Sequence, residues 1–436
     1  MSYEFLGIAG FVLVLVLALF RVPVAISMAF VGGLGALYIE GWQSSSYVIS
    51  SLPFDAVHPY GLSIVPLFIF MGVFSTYSGL SKGLYKGIYA LIGHFRGGIA
   101  MATVGACAVF GAICGSSLAT VATMGKVAMP EMAQRSYAKS LASASVAAGG
   151  TLGVLIPPSI LLVLYALMTE QSIGALFAAA MIPGLIATVL YVLVIFIQVK
   201  LSPDKAPKSE KMPWRQRLSA LLGMWDAILL VSVVIGGIYS GLFSPTEAAA
   251  VGSGGALAIT ALKKQLTFKV LIAGMTETAK LTGMIFLILI GATIFNYFIE
   301  VSRLPEALVR WIEDGQFSPM AVIVLIVLFY VVLGCFMDSL SMLLLTVTPL
   351  YNLVVSIGFD PVWFGVLLVS VAEIGLITPP IGMNLFVVLG VDDDLTLKEV
   401  SSGILPFIVA DVVRVILMIA FPVLCLWLPY KLGFLL

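Results

Sequence analysis

Long apolar runs, almost empty of charge, leave this chain few folds. They lie at 5–20, 24–39, 61–80, 97–133, 138–168, 174–198, 223–242, 246–261, 279–298, 319–355, 361–390 and 403–429. About 20 apolar residues cross a bilayer as a helix. In hydrocarbon every backbone N–H and C=O needs a partner within the protein, so only helices and closed barrels span it. The alternating polarity of barrel strands is missing. Apolar residues make up 61% of the 436 residues and charged residues 10%, whereas soluble domains carry about 25% charged residues. The chain therefore reads as an all-α polytopic membrane protein. The first run follows Glu4 with no basic leader and no small-residue cleavage site, so it reads as a span rather than a signal peptide.

Two runs, 97–133 and 319–355, are too long for one span. Each is interrupted near its middle, by GAICGSS at 111–117 and by GCFMDSLS at 334–341. Lys and Arg concentrate on cytoplasmic loops. Lys82, Lys86 and Arg96 precede the first double run, and Arg135 and Lys139 follow it. Both of its ends then lie on one side, which fits either two full spans or a re-entrant helical hairpin, and the short polar tip without charges favours re-entry. Tracing on, most of the 22 basic residues fall on that side: Arg21, the loops at 82–96 and 135–139, the segment KLSPDKAPKSEKMPWRQR at 200–217, Lys263 to Lys280, and Lys398. Arg303, Arg310 and Lys431 fall opposite. The expected topology has both termini periplasmic, a cytoplasmic linker over 199–222, and a second hairpin opening outward.

The halves repeat. GGTLGVLIPPSI at 149–160 matches AEIGLITPPIGM at 372–383, so Pro157 corresponds to Pro379 and Gly153 to Gly375. VGGLGAL at 31–37 matches VGSGGAL at 251–257, and Gly111 corresponds to Gly334. The charge map sends matched helices in opposite directions, so the repeat is inverted. Inverted repeats with broken helices near the midplane are a secondary-transporter architecture. Proline removes a backbone donor and clashes with the carbonyl four residues before it. Each proline pair thus frees carbonyls, at 149–155 and at 373–378. Free carbonyls and hydroxyls are hard ligands for a small cation, while half-helix N-termini favour an anion. Pro158 and Ser159, with Pro380 and Asn384, lie just past the breaks and are the candidate substrate contacts.

Single residues carry less. Asp338, in an intramembrane tip, reads as a cation ligand, a helix cap or both. Glu373 reads as ion-site support or a structural hydrogen-bonding group. Asp411 and Arg414, three apart, can pair on one helix face, as a structural element or a subunit contact. SPTE at 244–247 reads as a capping box with proline at the first helical position. Trp42, Trp311 and Trp363 read as interfacial anchors. Cys107, Cys114, Cys335 and Cys425 read as buried thiols, and His58 and His94 stand alone. Zero net charge gives a nucleic-acid partner no support. The sequence has no phosphate-binding G-x-x-x-x-G-K-[ST] loop, which disfavours direct ATP drive. An intramembrane enzyme would need a nucleophile–base pair or a metal set, and neither is evident.

The strings GAICGSSLATVATMGKVAMPEM, GTLGVLIPPSI, GIYSGLFSPTEAAAVG, GCFMDSLSMLLLTVTPL and FDPVWFGVLLVSVAEIGLITPPIGMNLFVVLG closely resemble the large membrane subunit, DctM type, of tripartite ATP-independent periplasmic (TRAP) transporters. The resemblance runs over essentially the whole chain. It implies an inverted-repeat elevator transporter with two re-entrant helical hairpins and two broken helices. It also implies import of a small organic anion, of carboxylate or sulfonate class, across a bacterial inner membrane. The implied partners are a periplasmic substrate-binding protein and a small four-helix membrane subunit in the lipid bilayer. No cofactor is implied beyond sodium as the coupling ion. The first sodium site would use Ser116, Ser117, Thr151, Gly153 and carbonyls up to Pro157. The second would use Gly334, Asp338, Ser339, Gly375, Thr378 and Pro379. The run GSSLATVA lacks the acidic residue that many members carry after the first tip, which leaves that site without a carboxylate. A proton-coupled or an exporting carrier remains an alternative. The expected division is scaffold at 1–96, transport elements at 97–168, scaffold at 169–318, transport elements at 319–390 and a C-terminal scaffold helix at 391–436.

Overall fold

A computed structural model describes residues 2–208, 211–392 and 394–435, and all regular structure among them is helical. Ser209 and Glu210 of the expected linker lie outside the described residues. Among the described residues, seven helices are long and apolar enough to cross a membrane, or up to eight if the bent pair Trp214–Leu222 and Trp225–Tyr239 forms one span. The other apolar helices, Tyr3–Leu19, Gly98–Cys114, Pro319–Gly334 and Pro361–Ile377, are 16 or 17 residues long.

Several boundaries differ from the sequence reading. The second run extends to Val24–Val57, because the chain turns at Gly41 (φ 79°, ψ 179°) and the helix resumes through GWQSSS. Glycine adopts that backbone without a steric penalty. Phe268–Val301 begins well before 279, where the Thr267 hydroxyl accepts from Val270 N at 3.2 Å. The last run is two helices, Leu397–Ala420 and Val423–Lys431, separated at Phe421–Pro422. The capping box forms as expected: Ser244 Oγ accepts from Glu247 N at 3.3 Å, and Glu247 Oε2 accepts from Ser244 N at 2.7 Å. All four cysteines are buried and unpaired.

The matched glycine motifs mark an exchange between the halves. Val24–Val57 packs along Phe268–Val301, and a Cβ added at Gly32 would lie 2.7 Å from Phe295 Cα. Reciprocally, Pro245–Leu262 packs along Ile64–Tyr77, where Ser253 Oγ donates to Leu67 O at 2.6 Å and Thr260 Oγ1 to Phe74 O at 3.1 Å. Each half contributes one helix to the other half's pair.

Between these pairs lie two helix–turn–helix units and two broken helices. The first unit joins Gly98–Cys114 to Ser117–Gln134, and the second joins Pro319–Gly334 to Ser339–Ser356. Arms of 16 to 18 residues extend about 24–27 Å at 1.5 Å per residue, against a hydrocarbon core of about 30 Å. The broken helices are Lys139–Leu155 with Ile160–Met168, and Pro361–Ile377 with Met383–Leu389. Both Pro–Pro bonds, 157–158 and 379–380, are cis.

Two helices of the expected scaffold lie close against the transport elements. Ile173–Leu201 and Leu397–Ala420, read from sequence as scaffold, pack on the first broken helix and on one another, and Leu397–Ala420 makes no substantial contact with Val24–Val57, Ile64–Tyr77, Pro245–Leu262 or Phe268–Val301. Apolar patterning cannot show which neighbour an apolar helix chooses. Trp363 also departs from its reading as an interfacial anchor. It is 1% exposed and donates its indole N–H to Met418 O at 2.9 Å, whereas Trp42 and Trp311 are exposed. Helix–helix contact satisfies the Trp363 N–H where an interface would otherwise have done so.

Candidate functional site

In each half, glycine meets glycine beside the break. A Cβ at Gly111 would overlap Gly153 Cα, and a Cβ at Gly334 would lie 2.9 Å from Gly375 Cα. Each hairpin's first arm therefore runs backbone to backbone against its own broken helix. Beyond that contact, Pro157 and Pro158 offer no N–H to the carbonyls of Gly153 and Val154, and Pro379 and Pro380 offer none to Gly375 and Leu376.

Gly375 O is partnered instead by Thr378 N at 3.1 Å. The tips are capped by their own side chains. At the first, Gly115 turns the chain at φ 63°, and Ser116 caps the second arm, its hydroxyl accepting from Ala119 N at 3.4 Å. At the second, Asp338 caps Ser339–Ser356 by accepting from Ser341 N at 2.9 Å. The cap reading of Asp338 is therefore observed, and its second carboxylate oxygen is not used by the cap. Thr378 Oγ1 donates to Ile374 O at 2.7 Å, and Thr151 Oγ1 to Ala148 O at 2.7 Å.

A cavity of about 1050 Å³ connects the two tips. Ser116, Ser117, Asp338 and Ser339 line it, as do Lys82, Lys126 and Gln265. Tyr77, donating to Glu277 at 3.1 Å, forms part of the wall between helices 60–77 and 268–301. The four candidate substrate contacts do not line this cavity. Ser159 is fully buried and caps Ile160–Met168 through Leu162 N at 3.4 Å. Asn384 is fully buried too, its amide donating to Ser117 Oγ at 2.8 Å and to Ala147 O at 3.2 Å. Pro158 is buried beside Ser159, and Pro380 is exposed away from the cavity.

Sequence reasoning did not see how the halves join behind the tips. Glu373 is fully buried, and its Oε1 accepts from Ser339 Oγ at 3.1 Å, while the Ser117 hydroxyl faces the same carboxylate. A second network carries on from the first broken helix. Tyr191 Oη lies 3.0 Å from Thr151 Oγ1 and donates to Asp411 Oδ2 at 2.7 Å, and Asp411 pairs with Arg414 Nη2 at 3.1 Å. Arg414 Nη2 also donates to Ser370 O at 3.2 Å on the second broken helix. The Asp411–Arg414 pair expected from spacing thus forms in the chain's interior. The only trace of either network in the sequence was a set of isolated polar residues in apolar helices.

Residues 11–424 match the family model described as the tripartite ATP-independent periplasmic transporter, DctM component. The chain belongs to this family. A DctM-type subunit is the large permease component of a TRAP transporter, so the protein is a multi-pass membrane transporter subunit and not an enzyme. It is 34% identical to the C4-dicarboxylate TRAP transporter large permease protein of Pseudomonas aeruginosa, over 87% of this chain and 88% of that one. It is 32% identical to the sialic acid TRAP transporter large permease protein of Vibrio cholerae, over 93% and 94%. Among solved structures, the Alcanivorax borkumensis YdaH transporter shares the fold with a TM-score of 0.60 at 16% identity, over 97% of this DctM-type chain and 98% of that one.

Proposed function

We propose that this large permease subunit performs sodium-coupled import of a small organic anion, of carboxylate or sulfonate class, by an elevator movement. In this reading a periplasmic binding protein delivers the substrate, and a small four-helix membrane subunit braces the scaffold in the inner membrane. The observation that carries the reading is the single cavity ending on both hairpin tips, beside two symmetric sets of proline-freed carbonyls. Those carbonyls, with Ser116, Ser117, Thr151 and Gly153 in one half and Gly334, Asp338, Ser339, Gly375 and Thr378 in the other, supply hard oxygen ligands for sodium. The cavity is also lined by Lys82 and Gln265, which lie in segments that the charge map puts on the cytoplasmic side, so the conformation is inward-facing. Both hairpins re-enter, and both termini are periplasmic. The moving unit comprises 97–168 and 319–390 together with Ile173–Leu201 and Leu397–Ala420, which the Tyr191–Asp411–Arg414 network ties to the broken helices. Proteoliposomes holding both membrane subunits, supplied with binding protein and substrate, should accumulate substrate under an inward sodium gradient. Undiminished uptake without sodium, driven by a proton gradient alone, would exclude this reading.

A further inference from the structure

Behind the cavity, where the two repeats meet, two buried acceptor oxygens have no partner. One is Glu373 Oε2 and the other Asn384 Oδ1, on residues with no exposed surface. The orientation of the Asn384 amide is fixed, because its nitrogen reaches the Ala147 carbonyl at 3.2 Å and a carbonyl can only accept. Ser117 accepts an amide hydrogen from Asn384 at 2.8 Å, so its own hydroxyl hydrogen is not used in that bond. Ser339 donates to Glu373 Oε1 at 3.1 Å, which leaves Oε2 without a hydrogen bond among the described residues. The second broken helix thus bonds the second hairpin through Glu373, and the first hairpin and first broken helix through Asn384.

Charge has to be balanced here. The buried Asp411 is matched by Arg414, whose Nη2 is also committed to the Ser370 carbonyl. Arg414 Nε and Nη1 lack partners, and no hydrogen bond among the described residues joins them to Glu373. The carboxylate is thus surplus, and a buried unpaired charge is costly. Carboxylate, amide and hydroxyl oxygens are the donor set that hard cations take. In the repeat, Glu373 corresponds to Thr151, so only one half supplies this charge.

We propose that Glu373, Asn384, Ser117 and Ser339 hold one monovalent cation at the junction of the repeats, in addition to the two sodium sites within the halves. Ser117 and Ser339 also line the cavity, so the ion enters between the tips. Bound there, it ties the hairpins together, and leaving it loosens both. This rests on the sodium-coupled reading above.

Equilibrium dialysis with radioactive sodium, on the purified full-length chain, counts ions bound. Glu373→Gln keeps shape and should bind one ion fewer than the parent. Asn384→Leu keeps the carboxylate and should bind the same number, with one site weakened about tenfold, the factor that 1.4 kcal/mol represents. Sodium-dependent thermal stabilisation, which scales with ion occupancy, should fall in the same order and shows that each variant is folded. If the parent binds no sodium, the coupling reading itself fails. If the parent binds sodium and Glu373→Gln binds the same number with the same affinity, this site alone is refuted, and a proton or a purely structural hydrogen bond occupies Glu373.

Discussion

Asp338 caps a helix and also lines the cavity. One oxygen caps the second arm through Ser341 N, and the side chain also faces the cavity. Asp338→Asn preserves the cap, since asparagine caps helices as well as aspartate, but removes the charge. Losing about 1.5–3 kcal/mol of charge-assisted contact should raise the half-saturating sodium concentration for uptake roughly 10- to 150-fold. Folding should survive, and transport should recover in part at high sodium. An unchanged sodium titration would leave Asp338 as a cap only. The glycine pairs make a second residue-level test. At Gly334 an added methyl meets the Gly375 backbone at 2.9 Å, and backbone cannot move aside as a side chain can. Gly334→Ala should therefore destabilise by about 1–3 kcal/mol. Gly254, with nothing within 4 Å in mid-helix, is the control, where alanine should stabilise by about 0.5–1 kcal/mol. Equal thermal midpoints for the two variants would argue against the close approach. These glycines were legible as landmarks because a repeated backbone contact requires glycine in both halves. The convergence on Glu373 was not legible, because Asn384 and Ser117 lie 267 residues apart and only tertiary packing brings them together.

The hairpins and broken helices could be read at the level of elements because their signals are local. A polar glycine-bearing interruption stops a helix, and a proline pair frees carbonyls whatever surrounds it. Extents and neighbours were harder to read. Val24–Val57 continues through polar residues because Gly41 supplies a turn in place of a loop, and Trp363 lies inside because Met418 O is there to accept its N–H. Re-entry predicts an asymmetric labelling pattern. In a protein stripped of its native cysteines, single cysteines at Gln134 and Gln316, both exposed, mark the open ends of the two hairpins. An impermeant thiol reagent should reach position 134 only from the cytoplasm and position 316 only from the periplasm. A cysteine at Ser116, which lines the cavity, should label from the cytoplasmic side in the inward-facing state. If each double run instead made two full crossings, the loop at 116 would label from the periplasm in every state.

For the whole molecule the question is which helices travel together. Ile173–Leu201 lies against the first break, where a Cβ at Gly184 would sit 2.8 Å from Ile156 Cγ1. Leu397–Ala420 follows the same unit through Asp411 and Arg414, on which Tyr191 and Ser370 converge. Ile64–Tyr77 belongs to the exchanged pair of the scaffold, yet it touches the first tip. A Cβ at Gly72 would lie 3.0 Å from Cys114 Cα and 3.4 Å from its sulfur. These two contacts make opposite predictions for an elevator. Gly72→Cys can form a disulfide with the native Cys114, since bridged cysteines need Cβ atoms only about 3.5–4.5 Å apart. That bridge joins scaffold to moving unit in one register, so oxidation should abolish substrate turnover and reduction should restore it. Gly184→Cys with Ile156→Cys bridges two parts of the same unit, so oxidation should leave turnover close to that of the reduced protein. Comparing each variant with its own reduced form removes the effect of the substitutions themselves. Arrest by the 184–156 bridge, with the oxidised protein still thermally stable, would mean that Ile173–Leu201 stays behind while the broken helix moves. The boundary would then return to residue 169, where apolar patterning alone had drawn it.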